Sequence, residues 1–391
     1  MMIKPLNINL EQLIGLRHWL HAHPEISRQE HETSKHMRSF LEKYASPDEI
    51  ILLDGAGFAV VFNGAAPGNT VLIRAELDAL PIHEVNEDLR YRSVYDGVGH
   101  KCGHDGHLTI LAGIAQTLAD RPAKGRVVLL FQPDEETGTG ARGCKNHPNF
   151  KRIAPDFAFA LHSLPGFPKG EVVCKVGTFA SAVKYVAVRM VGKGSHSAQP
   201  ETGINPAFAM AELTLKAREI QSNFDGKKSY ALIVPIFSQM GVQSSGVSPP
   251  CGEVHFTLRS GKGDILDDMW RGFSDCAETI AAKYGLAIEF ETLEEFDETP
   301  NGQVAFEMVR NASTLAGLEF NLIDEPFRWG EDFGELTRYY KGAMFGMGAG
   351  IDHPPLHDPE FDFVDDLLEP SIEIFTQLIA GALGESQTRA V

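Results

Sequence analysis

"GHLTILAGIAQTLADRPAKGRVVLLFQPDEETG", Gly106–Gly138, contains a change of period that sets the architecture. Its first half, "GHLTILAGIAQTLAD", spaces small and apolar residues as a buried helix does. Its second half, "GRVVLLFQPDEETG", is an unbroken apolar run that ends in three acids, the pattern of a core strand feeding an acidic loop. Upstream lie two more β-branched apolar runs, "GFAVVF" at 57–62 and "NTVLIRAELDALP" at 69–81. Strand, helix, strand in that order predicts an α/β sheet with helices on both faces. Its functional groups then belong in the loops at the strand ends.

Working outward, residues 8–22 and 30–45 read as helices, and "DFAFALHSLPG" at 156–166 as one more core strand. The texture changes near residue 180. From there the spacing predicts strand 183–192, helix 205–222, strand 230–240, strand 252–260, helix 264–284 and strand 286–293. The order βαββαβ is that of a ferredoxin-like α+β unit. The expected architecture is a larger α/β domain in two pieces, residues 1–180 and 295–391, with this smaller α+β domain inserted at 181–294.

The formal charge of −18, from 53 acidic and 35 basic residues, is spread along the chain. Nucleic acid and anionic membrane both need a basic footprint, so neither is expected as a partner. No apolar run approaches the ~20 residues of a bilayer span. The N-terminus has no apolar signal core, and the five scattered cysteines do not suit a disulfide framework, so a cytoplasmic location is expected.

Chemistry concentrates in "GHKCGHDGHLTI", Gly99–Ile110, where His100, Cys102, His104, Asp105 and His107 crowd together. Cys102 and His104 are two apart, so in an extended segment both project to one side and can meet one ion. The helix that follows would favour a thiolate at Cys102, and Asp105 would either cap that helix or orient a ligand imidazole. A structural zinc site would require a second Cys/His pair at short spacing, and there is no C-x-x-C in the chain. The missing ligands are therefore expected among carboxylates and imidazoles in other strand-end loops. Asp134, Glu135 and Glu136 follow one core strand, His162 ends another, and His353 or His357 is offered by the Pro-rich "DHPPLHDP". Three adjacent acids repel one another unless cations hold them. If one binds metal, its neighbour can serve as general base toward a water. In the inserted unit, His196 in "GKGSHSAQP" and Arg259 at the end of "EVHFTLRS" read alone as a surface loop and a strand-end ion pair.

Taken together, these residues resemble the amidohydrolase branch of the metallo-aminoacylase and carboxypeptidase clan, the branch of hippurate hydrolase and the indole-acetyl-amino-acid hydrolases. The likeness rests on "HWLHAHPE", "RAELDALP", "CGHDGH", "FQPDEETGTGA", "LHSLPGFPKG", "GSHSAQP", "GEDF" and "LHDPEFDF", in that order over nearly the whole chain. It implies two divalent metal ions, zinc or manganese first and cobalt or nickel as alternatives, held by Cys102, His104, Glu136, His162 and His357. It further implies Glu135 as general base, His196 as the lid histidine that stabilises the oxyanion, and Arg259 as the partner of the substrate carboxylate. The activity implied is hydrolysis of N-acyl amino acids to a carboxylic acid and a free amino acid, in a homodimer joined through the inserted domain. A dipeptidase using the same centre is the alternative, with Asp134 or Glu331 then meeting the substrate amine. A catalytically silent metal-binding protein would lack the base. Three positions depart from the family pattern: Gly246 stands where it has asparagine, Glu76 replaces the commoner Asp, and Asp134 replaces a small residue.

Overall fold

Helix His104–Thr117 is buried along almost its whole length, with Leu108, Ile110, Leu111 and Ile114 nearly or fully inaccessible. Burying each of these side chains contributes roughly 1.5–3 kcal/mol. The helix packs against helices Leu10–Ala22, His31–Tyr44 and Leu368–Ala382. The computed structural model describes residues 6–384, except 225, 227 and 228.

The chain divides into two compact units. The first comprises 1–179, 299–325 and 332–391, and the second 180–298 and 326–331. In the first unit an eight-stranded sheet runs in the spatial order Glu49–Leu52, Phe58–Asn63, Lys124–Gln132, Ala66–Glu76, Phe157–Pro165, Lys341–Gly350, Val172–Cys174, Phe320–Leu322. Its four central members, from Lys124–Gln132 to Lys341–Gly350, are mutually parallel. Side chains alternate across each strand. Val71, Ile73 and Ala75 join the core under the long helices, while Leu72, Val128, Leu130, Ala158 and Met344 are buried on the other face. The short helices Gly140–Asn146 and Gly334–Thr337 pack on strands Lys124–Gln132 and Lys341–Gly350.

From strand Ala66–Glu76 the chain passes through helix His104–Thr117 to a neighbour on one side, and then crosses to Phe157–Pro165 on the other. That reversal creates a crevice at the carboxyl ends of the strands, where α/β sheets place their ligands.

The second unit is ferredoxin-like. Strands Ala182–Val191, Ala231–Met240, Cys251–Ser260 and Ala287–Phe296 form one antiparallel sheet in which Cys251–Ser260 and Ala182–Val191 are central. Helices Ala207–Ser222 and Gly263–Tyr284 bury Met210, Leu213, Met269 and Phe273 against Val186, Val188, Val254 and Phe256. Among the described residues no helix is long and apolar enough to cross a membrane.

Candidate metal centre

Each central parallel strand delivers one part of the site at its carboxyl end. Strand Lys124–Gln132 runs into Pro133–Glu136, Ala66–Glu76 into Asp78, and Lys341–Gly350 into the loop of His357, while His162 lies near the end of Phe157–Pro165. Cys102 and His104 enter from the start of helix His104–Thr117. The donor atoms of Cys102, His104 and His162 all lie within 4.8 Å of one another, as do those of Cys102, Glu136 and His357, and those of His104, Glu135 and Glu136. Cys102 Sγ is 3.4 Å from His162 Nε2, and His357 Nε2 is 3.6 Å from Glu136 Oε2. His104 Nε2 lies 3.9 Å from Glu136 and 4.0 Å from Glu135.

The imidazoles are aimed by their other nitrogen. His104 Nδ1 donates to the carbonyl oxygen of Asp78 at 2.9 Å, and His162 Nδ1 to that of Ser163 at 2.8 Å. In each ring Nε2 is thereby the nitrogen left to face a metal, which on binding would displace any proton held there. His104 Nε2, Glu136 Oε1 and Asp78 Oδ1 are buried with no hydrogen-bond partner, a combination that is costly unless a cation completes it.

The electrostatics agree. Burial, reinforced by Asp78 and Glu76 and opposed by His104, pushes the Glu136 carboxyl up. Burial, with Glu136, Glu135 and Glu76, pushes the Cys102 thiol well above its ordinary range. Burial alone would lower His104, but Glu76 and Asp78 outweigh it and push its pKa up to about 10. His162 is driven well down by burial and by His107, so its imidazole is neutral and able to bind metal. The protein alone thus concentrates negative potential on a few donor atoms, which is the field of a cation site. Thiolate, imidazole and carboxylate together suit zinc and its first-row neighbours.

Residues 72–381 match the peptidase family M20/M25/M40. An N-acetyl-L-cysteine deacetylase of Bacillus subtilis is 31% identical over 91% of this chain and 85% of its own length. The N-acetyldiaminopimelate deacetylase of the same organism is 27% identical over 94% and 98%. A crystal structure described as a dinuclear metal-binding peptidase of the M20 family from Bacillus subtilis superposes with a TM-score of 0.80. It is 28% identical, over 96% of this chain and 98% of that one. The chain belongs to the M20/M25/M40 peptidase family. It is a hydrolase acting on linear amides.

Within this M20 fold the structure corrects several readings of the sequence. Cys102 and His104 do not meet by extended alternation. Gly103, at φ +87°, turns the chain left-handed between them, and His104 opens the helix. At Cys102 burial and the surrounding carboxylates outweigh the helix end and push the thiol up, so a cation binding there would displace its proton. Asp105 is not the N-cap, which is Gly103, but its Oδ1 accepts from the Gly106 backbone N–H in the first turn at 2.9 Å. It is buried against His21 Nδ1 at 2.8 Å and Arg17 Nη1 at 3.4 Å.

The three adjacent acids separate. Asp134 adopts φ +57° and turns its carboxylate onto Arg28, Thr137 and Thr139, leaving Glu135 and Glu136 to the centre. Of the two late histidines, His357 joins the centre, while His353 bonds the Pro354 carbonyl and packs on Phe361. His107 is fully engaged, with Nδ1 on Glu76 at 2.8 Å and Nε2 accepting from Ser163 N at 3.0 Å. Glu76 is in turn held by Arg74, which also reaches Gln132 and Asp332. The Glu-for-Asp departure therefore belongs to a buried framework.

Sequence reasoning missed Asp78. Its signal was an acid inside the apolar strand end "LDALP", a residue type almost never fully buried without a task.

His196 and Arg259 lie in the second unit. His196 sits on a short strand paired with Val247–Ser248, and its Nδ1 accepts from Ala198 N at 3.1 Å. Its proton is then on Nε2. Arg259 donates to the Arg328 carbonyl at 2.8 Å. At Gly246 a Cβ would meet nothing within 4 Å.

Proposed function

We propose that the protein hydrolyses the amide bond of N-acyl amino acids, releasing a carboxylic acid and a free amino acid. The observation that carries this reading is the pair of overlapping donor groups, Cys102–His104–His162 and Cys102–Glu136–His357, with Glu135 beside them. Sharing Cys102, these five residues would hold two divalent ions, zinc or manganese first, with cobalt and nickel also compatible. Bound there, the ions would polarise the scissile carbonyl and lower the pKa of the attacking water. The deacetylase names of the relatives and the dinuclear site named for the solved neighbour support the same reading.

The chain's own residues divide the remaining work. Glu135 takes a proton from the attacking water and returns it to the leaving amine. The His196 Nε2–H donates to the developing oxyanion. Arg259 pairs with the substrate carboxylate. The domain carrying the centre is the catalytic one, and the inserted unit serves as lid.

A homodimer through that unit is supported by its edge strand Ala231–Met240, on which Val234, Ile236, Phe237 and Met240 are exposed. Free thiols at all five cysteines suit a cytoplasmic setting.

The dipeptidase reading loses support at Asp134, whose carboxylate is already committed to Arg28 and two threonines. A silent binding protein is disfavoured because Glu135 stands beside the donor atoms. The deciding experiment is a panel of N-acetyl, N-benzoyl and N-indoleacetyl amino acids plus dipeptides, assayed with and without chelator. Chelator-sensitive cleavage of the N-acyl substrates is expected, and turnover of dipeptides alone would reverse the assignment.

A further inference from the structure

Lys101 immediately precedes Cys102, and its side chain is fully buried. A buried ammonium is costly unless every N–H finds an acceptor. Here Nζ donates to Glu84 Oε1 at 2.7 Å, to the Phe361 carbonyl at 2.9 Å and to Asn86 Oδ1 at 3.4 Å. Glu84 is itself fixed by His21 Nε2 at 2.8 Å and by the Ser93 backbone N–H at 2.7 Å. At its other end, the Lys101 carbonyl oxygen accepts from His357 N at 2.7 Å. One residue therefore grips the late loop at both 357 and 361. Asn86 extends the seam by donating to the Glu360 carbonyl at 2.8 Å.

The loop needs such a grip. His357 has φ +66°, a conformation that costs a non-glycine residue about 1–2 kcal/mol and persists only where its surroundings enforce it. Its side chain is 51% exposed, whereas those of Cys102, His104 and His162 are buried, so packing alone does little to orient it.

We propose that Lys101 is a positioning residue whose ammonium, anchored by Glu84, clasps the Asp358–Phe361 turn and so sets the His357 imidazole beside Glu136. The role given to His357 rests on the two-ion reading above; the clasp itself does not.

The test compares full-length wild type with K101M/E84Q, which removes both the ammonium and the carboxylate that anchors it. Hydrogen exchange over residues 351–361 is followed in metal-free protein, and Zn²⁺ and Mn²⁺ are each titrated with metal analysis. With the thermal midpoint within about 5 °C of wild type, exchange at 351–361 is expected to rise at least about tenfold. One of two ions should bind about 10–100-fold more weakly, the other unchanged. Unchanged exchange in that segment overturns the clasp, and so does an equal rise along the whole chain. If the double variant does not fold, Lys101→Gln is read in the same two assays by the same criteria. Wild type binding fewer than two ions would sink the two-ion reading alone, because exchange in metal-free protein does not depend on it.

Discussion

His104 donates its Nδ1 proton to the backbone carbonyl of Asp78 at 2.9 Å, and this single bond aims its Nε2 at the buried donor cluster. Asp78 is in turn held by Ser27 Oγ at 2.8 Å and by the backbone N–H of Glu136 at 3.0 Å, both on its Oδ2. One acid thus links the strap after the first helix to the turn that presents Glu135 and Glu136. Asp78→Ala leaves the carbonyl that aims His104 but removes the carboxylate that fixes the Glu136 backbone and Ser27, and it is expected to weaken metal binding about 10–100-fold. Metal titration of the purified variant checks this, and wild-type affinity would contradict it.

Glu135 should be separable from the donors. Glu135→Gln keeps the shape and size of the side chain but cannot take a proton. It is expected to retain the metal content of wild type while turnover of N-acyl amino acids falls about 10²–10⁴-fold. Metal analysis alongside steady-state kinetics tests both halves, and a near-normal rate would remove Glu135 from its role.

The cluster behind the centre predicts a pH signature. His21 donates from both ring nitrogens, to Asp105 and to Glu84, each at 2.8 Å. Burial alone would lower its pKa; the two hydrogen bonds outweigh burial and push it up to about 9. A raised folded-state pKa gives stability that is fully present below the unfolded value of 6.5 and lost as pH rises through about 9. The size is roughly 3 kcal/mol. Glu84 mirrors this on the acid side. Burial raises it, but His21 and Lys101 outweigh burial and depress it to about 2, so its contribution fades as pH falls below 4.5 toward that value. Thermal midpoints of wild type are expected to decline from pH 6.5 to 9.5, and His21→Gln, less stable at pH 6.5, is expected to show a flatter slope. Parallel profiles would argue against the assignment.

Gly106 marks where the helix that opens at His104 packs against Phe363. A Cβ there would lie 2.2 Å from Phe363 Cδ2. Gly106→Ala is expected to cost about 1–3 kcal/mol by overpacking. It should also weaken metal binding, because His104 sits two residues away on the same turn. Denaturant unfolding and metal titration measure the two effects.

The donor residues were legible in the sequence because thiol, imidazole and carboxylate stood at strand ends beside "CGHDGH", "QPDEE" and "LHDP". Helix and strand periods were equally plain, since an apolar run that must be buried on two faces leaves few alternatives. Asp78 was not legible. Its task depends on a backbone carbonyl and on one buried oxygen without a partner, neither of which a residue type records. The separation of Asp134 from Glu135 and Glu136 depends on one positive φ and on Arg28, far away in the chain.

The sequence by itself determined which elements form and which chemistry they carry, because hydrophobic period and donor type are local properties. Only the tertiary structure decided which donors meet, which histidines are committed elsewhere, and that Lys101 ties the Cys102 segment to the His357 loop. Those outcomes depend on burial and on hydrogen bonds between distant segments, where the cost of a stranded charge selects the one arrangement that satisfies it.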